Sequence, residues 1–451
     1  MNNTARATII AAATMTGFLS LGVVAGRRAV DRDVELAPAA SAPSEPSTRA
    51  AEGDPGVIHG RVTTVDGATY EGRLRFGGDE EAYWGDYFNG FKDGNPWAAY
   101  VEPERLAGER GGIEILGVRL GSRTPSDLRR PFMVRFGDMT RIEARGRDLR
   151  VTLKSGAVIH LDRYAADDFA DGVRVWDDRE VVDLGERRIR SIDLFRPSRP
   201  EVAAPRRLYG TVHTSTGDFS GFLQWDREEG VALDALEGRA ADGELLNLPF
   251  ATIRSIERDG ADRSVATLLD GQEILLSGTR EVGRGNRGVY VDDARYGRVL
   301  VSWSAFDRVD LAPGGTGPRY RDFPPGRPLA GVVTTRAGRR LAGRLVYDLD
   351  ESETIETLDA PAGGVDYTLP FALVASIELL DGKASAAGPA RVTLRSGEAL
   401  QLERSGDLGD GNAGLLVFVD GRERPEYVPW ADVGRVDFEA PSAAHPPHEG
   451  G

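Results

Sequence analysis

From Gly60 onward the chain is written in short runs where β-branched or apolar residues alternate with polar ones, broken by DG, TG, SG or AG. Alternation of this kind sends one set of side chains to each face of a strand, and the glycine supplies the positive φ of a tight hairpin turn. GRVTTVDGATYEGRLRF from Gly60, GTVHTSTGDFSGFLQWD from Gly210 and GVVTTRAGRRLAGRLVYD from Gly331 therefore each predict two antiparallel strands, turning at Gly67, Gly217 and Gly338. Further on, VTLKSGAVIHL, ATLLDGQEILL and VTLRSGEALQL predict a second hairpin in each copy, around Gly156, Gly271 and Gly397. The pattern is that of an all-β chain with very little helix.

A third phrase closes each of these units. LPFATIRSIE (248–257) returns as LPFALVASIE (369–378), and more loosely as VSWSAFDRVD from Val301 and VPWADVGRVD from Val428; MTRIE (139–143) and IRSID (189–193) complete the set. Phe250, Phe371, Trp303 and Trp430 are each followed at the third and sixth positions by apolar residues, which predicts one tight helical turn and then a strand, with all three side chains in one core. Pro249, Pro370 and Pro429 pre-set φ for that turn. Because the apolar positions are held while the polar ones vary, the phrase is expected to be a wall rather than a binding site, its terminal acid lying in solvent at a strand end.

The repetition fixes an expected organisation: three long repeats, each of two small units in tandem, at 57–197, 207–312 and 328–439. Linkers rich in Pro, Ala, Gly and Arg separate them, 31–56 reads as a disordered spacer and 440–451 as a disordered tail. A unit of roughly 50 residues with a hairpin, a third strand, a short turn and a closing strand resembles the SH3-like small barrels, and among them the Sm-like fold. Val212, Gly217, Gly221, Leu223, Trp225, Asp226, Leu233 and Asp234 carry the likeness. So do Val333, Gly338, Gly343, Leu345, Tyr347, Asp348, Leu358 and Asp359. The resemblance implies an RNA-binding ring in the best-known Sm-like proteins, but this chain lacks the Arg-Gly pair before the closing strand and the Asn after the aspartate. Only the fold is carried over.

Charge narrows the function. Acidic residues outnumber basic ones 71 to 56, for a net charge of −15, and the basic residues are scattered, whereas nucleic-acid affinity comes from clustered Lys and Arg. With no cysteine there is no disulfide framework, thiolate zinc site or cysteine nucleophile. Residues 1–30 combine Arg6 with an uncharged stretch rich in small and apolar residues (7–26), the pattern of a signal peptide or a retained N-terminal anchor. The mature chain is thus expected to be extracytoplasmic, periplasmic or secreted, touching the membrane only through that anchor.

Candidate chemistry is sparse. His59 and His213 fall outside the shared pattern, His160 should face away from the core of its strand, and His445 and His448 lie in the tail. DLDESE (348–353) and DLGDGN (407–412) gather oxygen ligands without the spacing of a calcium loop. The matching VGRGN of the middle copy places Arg284 where it would repel a cation, so turns with solvated charge are expected. The Gly285-Asn286 and Gly411-Asn412 pairs read as left-handed backbone devices.

The first repeat alone carries a long insertion, near 89–130, preceded and entered by Tyr83, Trp84, Tyr87, Phe88, Phe91, Trp97 and Tyr100. If the segment begins as a strand, Trp84 and Phe88 share one face and Tyr83 and Tyr87 the other. The insertion then either folds back over the second face or leaves aromatics beside carboxylates for recognition. Trp84, Asp86, Tyr87, Asn89, Phe91 and Trp97 are accordingly the candidate ligand-binding residues. No catalytic residue, metal ligand or cofactor is predicted. The expected function is an exported, non-catalytic β-repeat scaffold that binds protein or glycan of a bacterial-type cell envelope. The alternatives are a carboxylate-dependent hydrolase or lyase using Asp79, Glu80, Glu81 and Asp86, and an Sm-like RNA binder, disfavoured by charge and address.

Overall fold

A computed structural model describes residues 56–77, 80–102, 130–196, 206–314, 317–380 and 388–440, and the backbone of Glu114–Ile115 and Val118–Arg119. The segments expected to be a signal or anchor, a spacer and a tail, and most of the insertion, lie outside the described residues. What is described is all-β apart from short 3-10 turns and one helical turn, α1 (Asp167–Ala170).

The first segment runs β1 (His59–Thr64), β2 (Thr69–Phe76), β3 (Tyr87–Phe91), β4 (Glu114–Ile115), β5 (Val118–Arg119), β6 (Pro131–Arg135), β7 (Met139–Arg145), β8 (Asp148–Leu153), β9 (Val158–Asp162), β10 (Val173–Asp177), β11 (Val181–Leu184) and β12 (Ile189–Leu194). The second runs β13 (Tyr209–Thr214), β14 (Gly217–Gln224), β15 (Ala235–Arg239), β16 (Leu245–Pro249), β17 (Ile253–Arg258), β18 (Arg263–Leu268), β19 (Glu273–Ser277), β20 (Val289–Asp293), β21 (Gly297–Val301) and β22 (Phe306–Leu311). The third runs β23 (Ala330–Thr335), β24 (Arg340–Val346), β25 (Thr357–Ala362), β26 (Val365–Pro370), β27 (Val374–Leu379), β28 (Ala390–Leu394), β29 (Ala399–Leu402), β30 (Leu415–Phe418), β31 (Glu426–Val428) and β32 (Val433–Phe438).

The opening hairpins form as the glycines predict, with φ of +89°, +152° and +81° at Gly67, Gly217 and Gly338. A second glycine in each hairpin has a different cause. A Cβ at Gly72, Gly221 or Gly343 would fall 1.8, 2.1 or 2.1 Å from the carbonyl oxygen of Trp176, Asp292 or Phe418 on the neighbouring strand, so only glycine fits there.

The pairing of these hairpins corrects the expectation of contiguous small barrels: no sheet closes on itself among the described residues. In the second segment β13 pairs with β22, the closing strand of the other half, and not with its own closing strand β17. β17 pairs instead with β18, the first strand of the following half. The two closing strands then pair with each other. β1·β12, β7·β8 and β12·β7 repeat this scheme in the first segment, and β23·β32, β27·β28 and β27·β32 in the third. Sequence periodicity sees only which strands exist; which edges meet is settled by burial.

The closing phrase behaves in the core as predicted. Phe250, Ile253 and Ile256 are buried together, as are Phe371, Val374 and Ile377, Trp430, Val433 and Val436, and Phe136, Met139 and Ile142. Its terminal acid lies one residue from the strand end and is exposed or half-exposed, but it is ion-paired: Arg308 bridges Glu257 and Asp310 of adjoining strands at 3.1 and 2.7 Å. Arg435 sits likewise between Glu378 (3.7 Å) and Asp437 (2.7 Å). In the first segment the arginine has crossed to the partner strand, where Arg141 faces Glu143 and Asp193, and Ser191 stands at the position that Arg308 and Arg435 hold. The phrase recurs because it builds both strands of one seam.

The hydrophobic interior follows this arrangement. One core runs continuously through the second and third segments, whose sheets join where β21 pairs with β26. The first segment has its own core, which also takes in Phe323 and Ile355 from the third segment and the linker before it.

Candidate functional site

The insertion interrupts a hairpin, β3·β6, that corresponds to β15·β16 and β25·β26. The strand begins only at Tyr87, because residues 83–85 form a turn, so the expected alternation from Trp84 does not hold. Tyr83 and Phe88 are both buried in the first core. The Tyr83 hydroxyl accepts from the His59 N–H (2.9 Å) and donates toward the Phe195 carbonyl (3.0 Å). Tyr83 packs against Tyr320 of the linker and Phe88 against Phe76 and Phe136, so the cover shown around these residues comes from other parts of the chain.

The candidate binding residues divide between a junction and the surface. Trp84 is half-buried against Phe323, with the Arg135 guanidinium 5.0 Å from its ring centroid, and its carbonyl accepts from Arg207 of the second segment (2.7 Å). Asp86 is buried; its carboxylate accepts from the Glu81 and Ala82 N–H groups (2.9 and 2.7 Å) and from Gln224 of the second segment (2.9 Å). Burial raises its pKa against the opposing pull of Arg207 and Arg298. Tyr87 is buried with its ring 4.9 Å from the Arg298 guanidinium, and burial pushes its hydroxyl up to about 12. Asn89 and Phe91, on the same face of β3, are exposed, Phe91 by 43%. Trp97 is half-buried edge-on to Phe418 of the third segment (6.0 Å); Tyr100, 47% exposed, meets the same ring.

The described part of the insertion thus reaches the third segment, while Trp84, Asp86 and Tyr87 just before it reach the second. Lys92 bonds Asp350 (2.7 Å) and Glu356 (2.8 Å) of the third, Arg130 faces Asp348 at 3.2 Å, and Asn95 donates to the Leu349 carbonyl (2.8 Å) while capping the 3-10 turn Pro96–Tyr100. Val101 packs with Val346, Leu349, Ala413 and Leu416. Burial works against the charge on Lys92, but Glu356 and Asp350 outweigh it and hold the ammonium well above its ordinary pKa.

The acidic motifs are mostly framework; only Asp410 among their acids stands out in solvent as solvated charge, 93% exposed. After the second strand of each segment the chain doubles back, bridging Phe76 to Glu80, Trp225 to Glu229 and Tyr347 to Glu351. Asp226 and Arg227 (φ +50° and +65°) and Asp348 and Leu349 (φ +50° and +52°) make this turn left-handed, where the first segment has Gly77. Such non-glycine positions cost about 1–2 kcal/mol each. The Asp226 carboxylate offsets this by accepting the Arg287 N–H (2.6 Å) and pairing with Arg280 (2.6 Å), and Asp348 accepts the Ala413 N–H in the same way.

A second carboxylate in each segment caps one strand N–H: Asp168 takes that of Asn89, Glu281 that of Glu237 (2.7 Å) and Asp407 that of Asp359 (2.7 Å). Comparing VGRGN with DLGDGN starts one residue too late to show this; begun at Glu281, EVGRGN aligns its acid with Asp407. Asn286 and Asn412 are not left-handed themselves. Each donates back to the carbonyl of that acid (2.8 and 2.7 Å) and accepts from Gly288 or Gly414 (2.8 Å), and it is those glycines that take positive φ. Burial raises the pKa of Glu351, Asp350, Asp359 and Asp407, and takes Glu229 to about 8 and Glu281 to about 7.

Glu81 and Asp86 line a cavity of about 30 Å³ between the first and second segments, room for roughly one water. Among the described residues no group of three or more His, Asp or Glu is placed to hold a metal. His160 projects outward to Asp148 (2.9 Å), and His213 links Asp218 and Asp310 (2.9 and 3.0 Å). Comparison with protein-family models and with curated proteins finds no match.

Proposed function

We propose that the chain is an exported, non-catalytic scaffold that binds a protein or glycan of the cell envelope. In this reading it has three repeats, each a pair of five-stranded SH3-like modules that have exchanged strands. In the second, β13, β14, β20, β21 and β22 make one module and β15 to β19 the other. The observation that supports it most is where the reactive-looking side chains go: Glu281 and Asp407 cap backbone N–H groups, Asp350 and Glu356 are neutralised by Lys92, and Trp84, Tyr87 and Trp97 fill junctions between segments. A site for chemistry would keep such groups facing a cleft.

The outward remainder of the insertion, Asn89, Phe91 and Tyr100 with the open edge of Trp97, is the proposed contact surface. Phe91→Ala and Tyr100→Ala should reduce retention of envelope partners or glycans at least severalfold and leave the melting temperature unchanged. Undiminished retention in both variants would discard the surface. Export is tested separately by fusing residues 1–56 to a reporter active only outside the cytoplasm; a silent fusion would discard the address.

A further inference from the structure

The second and third segments are joined edge to edge. β21 pairs with β26, setting Arg298 opposite Thr368, Val299 opposite Tyr367, Leu300 opposite Asp366 and Val301 opposite Val365. By position in their segments, β6 and β16 correspond to β26, and β11 and β31 to β21. All four stand at sheet ends among the described residues.

Two of these edges are guarded. β31 carries Glu426 at the position of Val299, held by Arg339 and by Arg422 (2.7 Å), so a charge occupies the place where the joined edge is apolar. β6 begins with Pro131 at the position of Asp366, where the ring removes a ladder donor. Charged residues and prolines of this kind are what proteins use to keep an edge from recruiting another strand.

The other two also carry a charge, Asp183 at the position of Leu300 and Glu244 at that of Val365, but they combine it with exposed apolar side chains. β11 exposes Val181 by 58% and β16 exposes Leu245 by 42%, while the equivalent strands β21 and β26 are largely covered. Laid in the register of the existing joint, Val181 would oppose Asn247, Val182 Leu246, Asp183 Leu245 and Leu184 Glu244. No like charges meet. Val182 and Leu246 reproduce the apolar pair Val299–Tyr367, and Asp183 with Leu245 reproduces Leu300–Asp366 with the two residue types exchanged across the seam.

We propose that the β11 edge of one copy of this chain pairs antiparallel with the β16 edge of a second copy, repeating between molecules the joint that β21 and β26 make within one. The occupant is a second copy because the chain itself holds both complementary edges and an example of their pairing, and among the described residues both are left open. The contact is β-augmentation, with main-chain hydrogen bonds giving affinity and the apolar pairs giving register.

The absence of native cysteine makes the test direct. Full-length Val181→Cys and Asn247→Cys chains, mixed and oxidised, should give a reducible cross-linked dimer severalfold faster than either variant alone, since cross-strand neighbours lie within disulfide reach. Sedimentation of the unaltered chain should show an average mass that rises with concentration, and Leu245→Lys should return it to monomer with an unchanged melting temperature. A mixture that cross-links no faster than the single variants, or a mass that stays monomeric at every concentration, overturns the proposal. The sedimentation arm decides the matter even if a cysteine variant does not fold.

Discussion

At the scale of the residue, the informative side chains are the buried carboxylates. Glu229 sits behind the left-handed turn at Asp226, with its Oε2 buried and unbonded, and burial followed by repulsion from Glu281 takes its pKa to about 8. In the unfolded chain the same group titrates near about 4.3. Between those values the folded chain holds a proton that the unfolded chain has released. Its contribution is therefore intact at low pH and is lost as pH rises through about 8. Glu229→Gln, which cannot ionise, should stabilise the protein at pH 9 by on the order of 1–2 kcal/mol, a figure already reduced for partial solvent screening. The gain should vanish near pH 4, and equilibrium denaturation at the two pH values measures it. The acids at these turns were visible in the sequence as DLDESE and DLGDGN. Their burial was not, because the groups that desolvate them come from strands far away in the chain.

At the scale of the element, the closing strands and the insertion carry separable predictions. The arginine of the seam stands on β7 in the first segment and on β22 or β32 in the others, and its carboxylate partners flank it either way. Arg141→Ser should cost about 0.5–1 kcal/mol, as half-exposed ion pairs do. Adding Ser191→Arg, which restores the arrangement of the other segments, should recover most of the loss; a double-mutant cycle on denaturation midpoints reads the coupling. Lys92 poses a sharper case, since it neutralises Asp350 and Glu356 where all three are mostly buried. Lys92→Met should destabilise by on the order of 3–5 kcal/mol, because it strands two carboxylates in a poorly solvated junction. Asp350→Asn with Glu356→Gln in the same chain should return part of that. Calorimetry would show both effects.

At the scale of the whole molecule, strand exchange decides what can fold alone. Residues 207–259 contain a full opening hairpin and a closing phrase and read in sequence as a complete unit. In the structure β13 depends on β22, and β17 on β18 and β22, all of them outside that fragment. The fragment is therefore expected to remain unfolded, with dispersed β-sheet signals absent from its amide spectrum. A folded, cooperative fragment would mean that the halves can close on themselves. In the same way, the contacts of Trp84, Asp86 and Tyr87 with the second segment and of the insertion with the third predict one cooperative transition for residues 52–451 rather than three.

Alternation, turn glycines and the sixfold occurrence of the closing phrase were enough to determine that the chain is all-β, where most strands and turns lie, and which face of each closing strand is apolar. These properties are local: a period of two and a positive φ are set by neighbours in the chain. Which strands pair, the inward fate of Trp84, Asp86 and Tyr87, and the framework role of Glu281 and Asp407 were decided only in the tertiary structure. The physical reason is that edges and faces are interchangeable to local sequence. The main-chain donors of β17 would be satisfied equally by β13 or by β18, and the choice falls to whichever arrangement buries the apolar faces of both halves together.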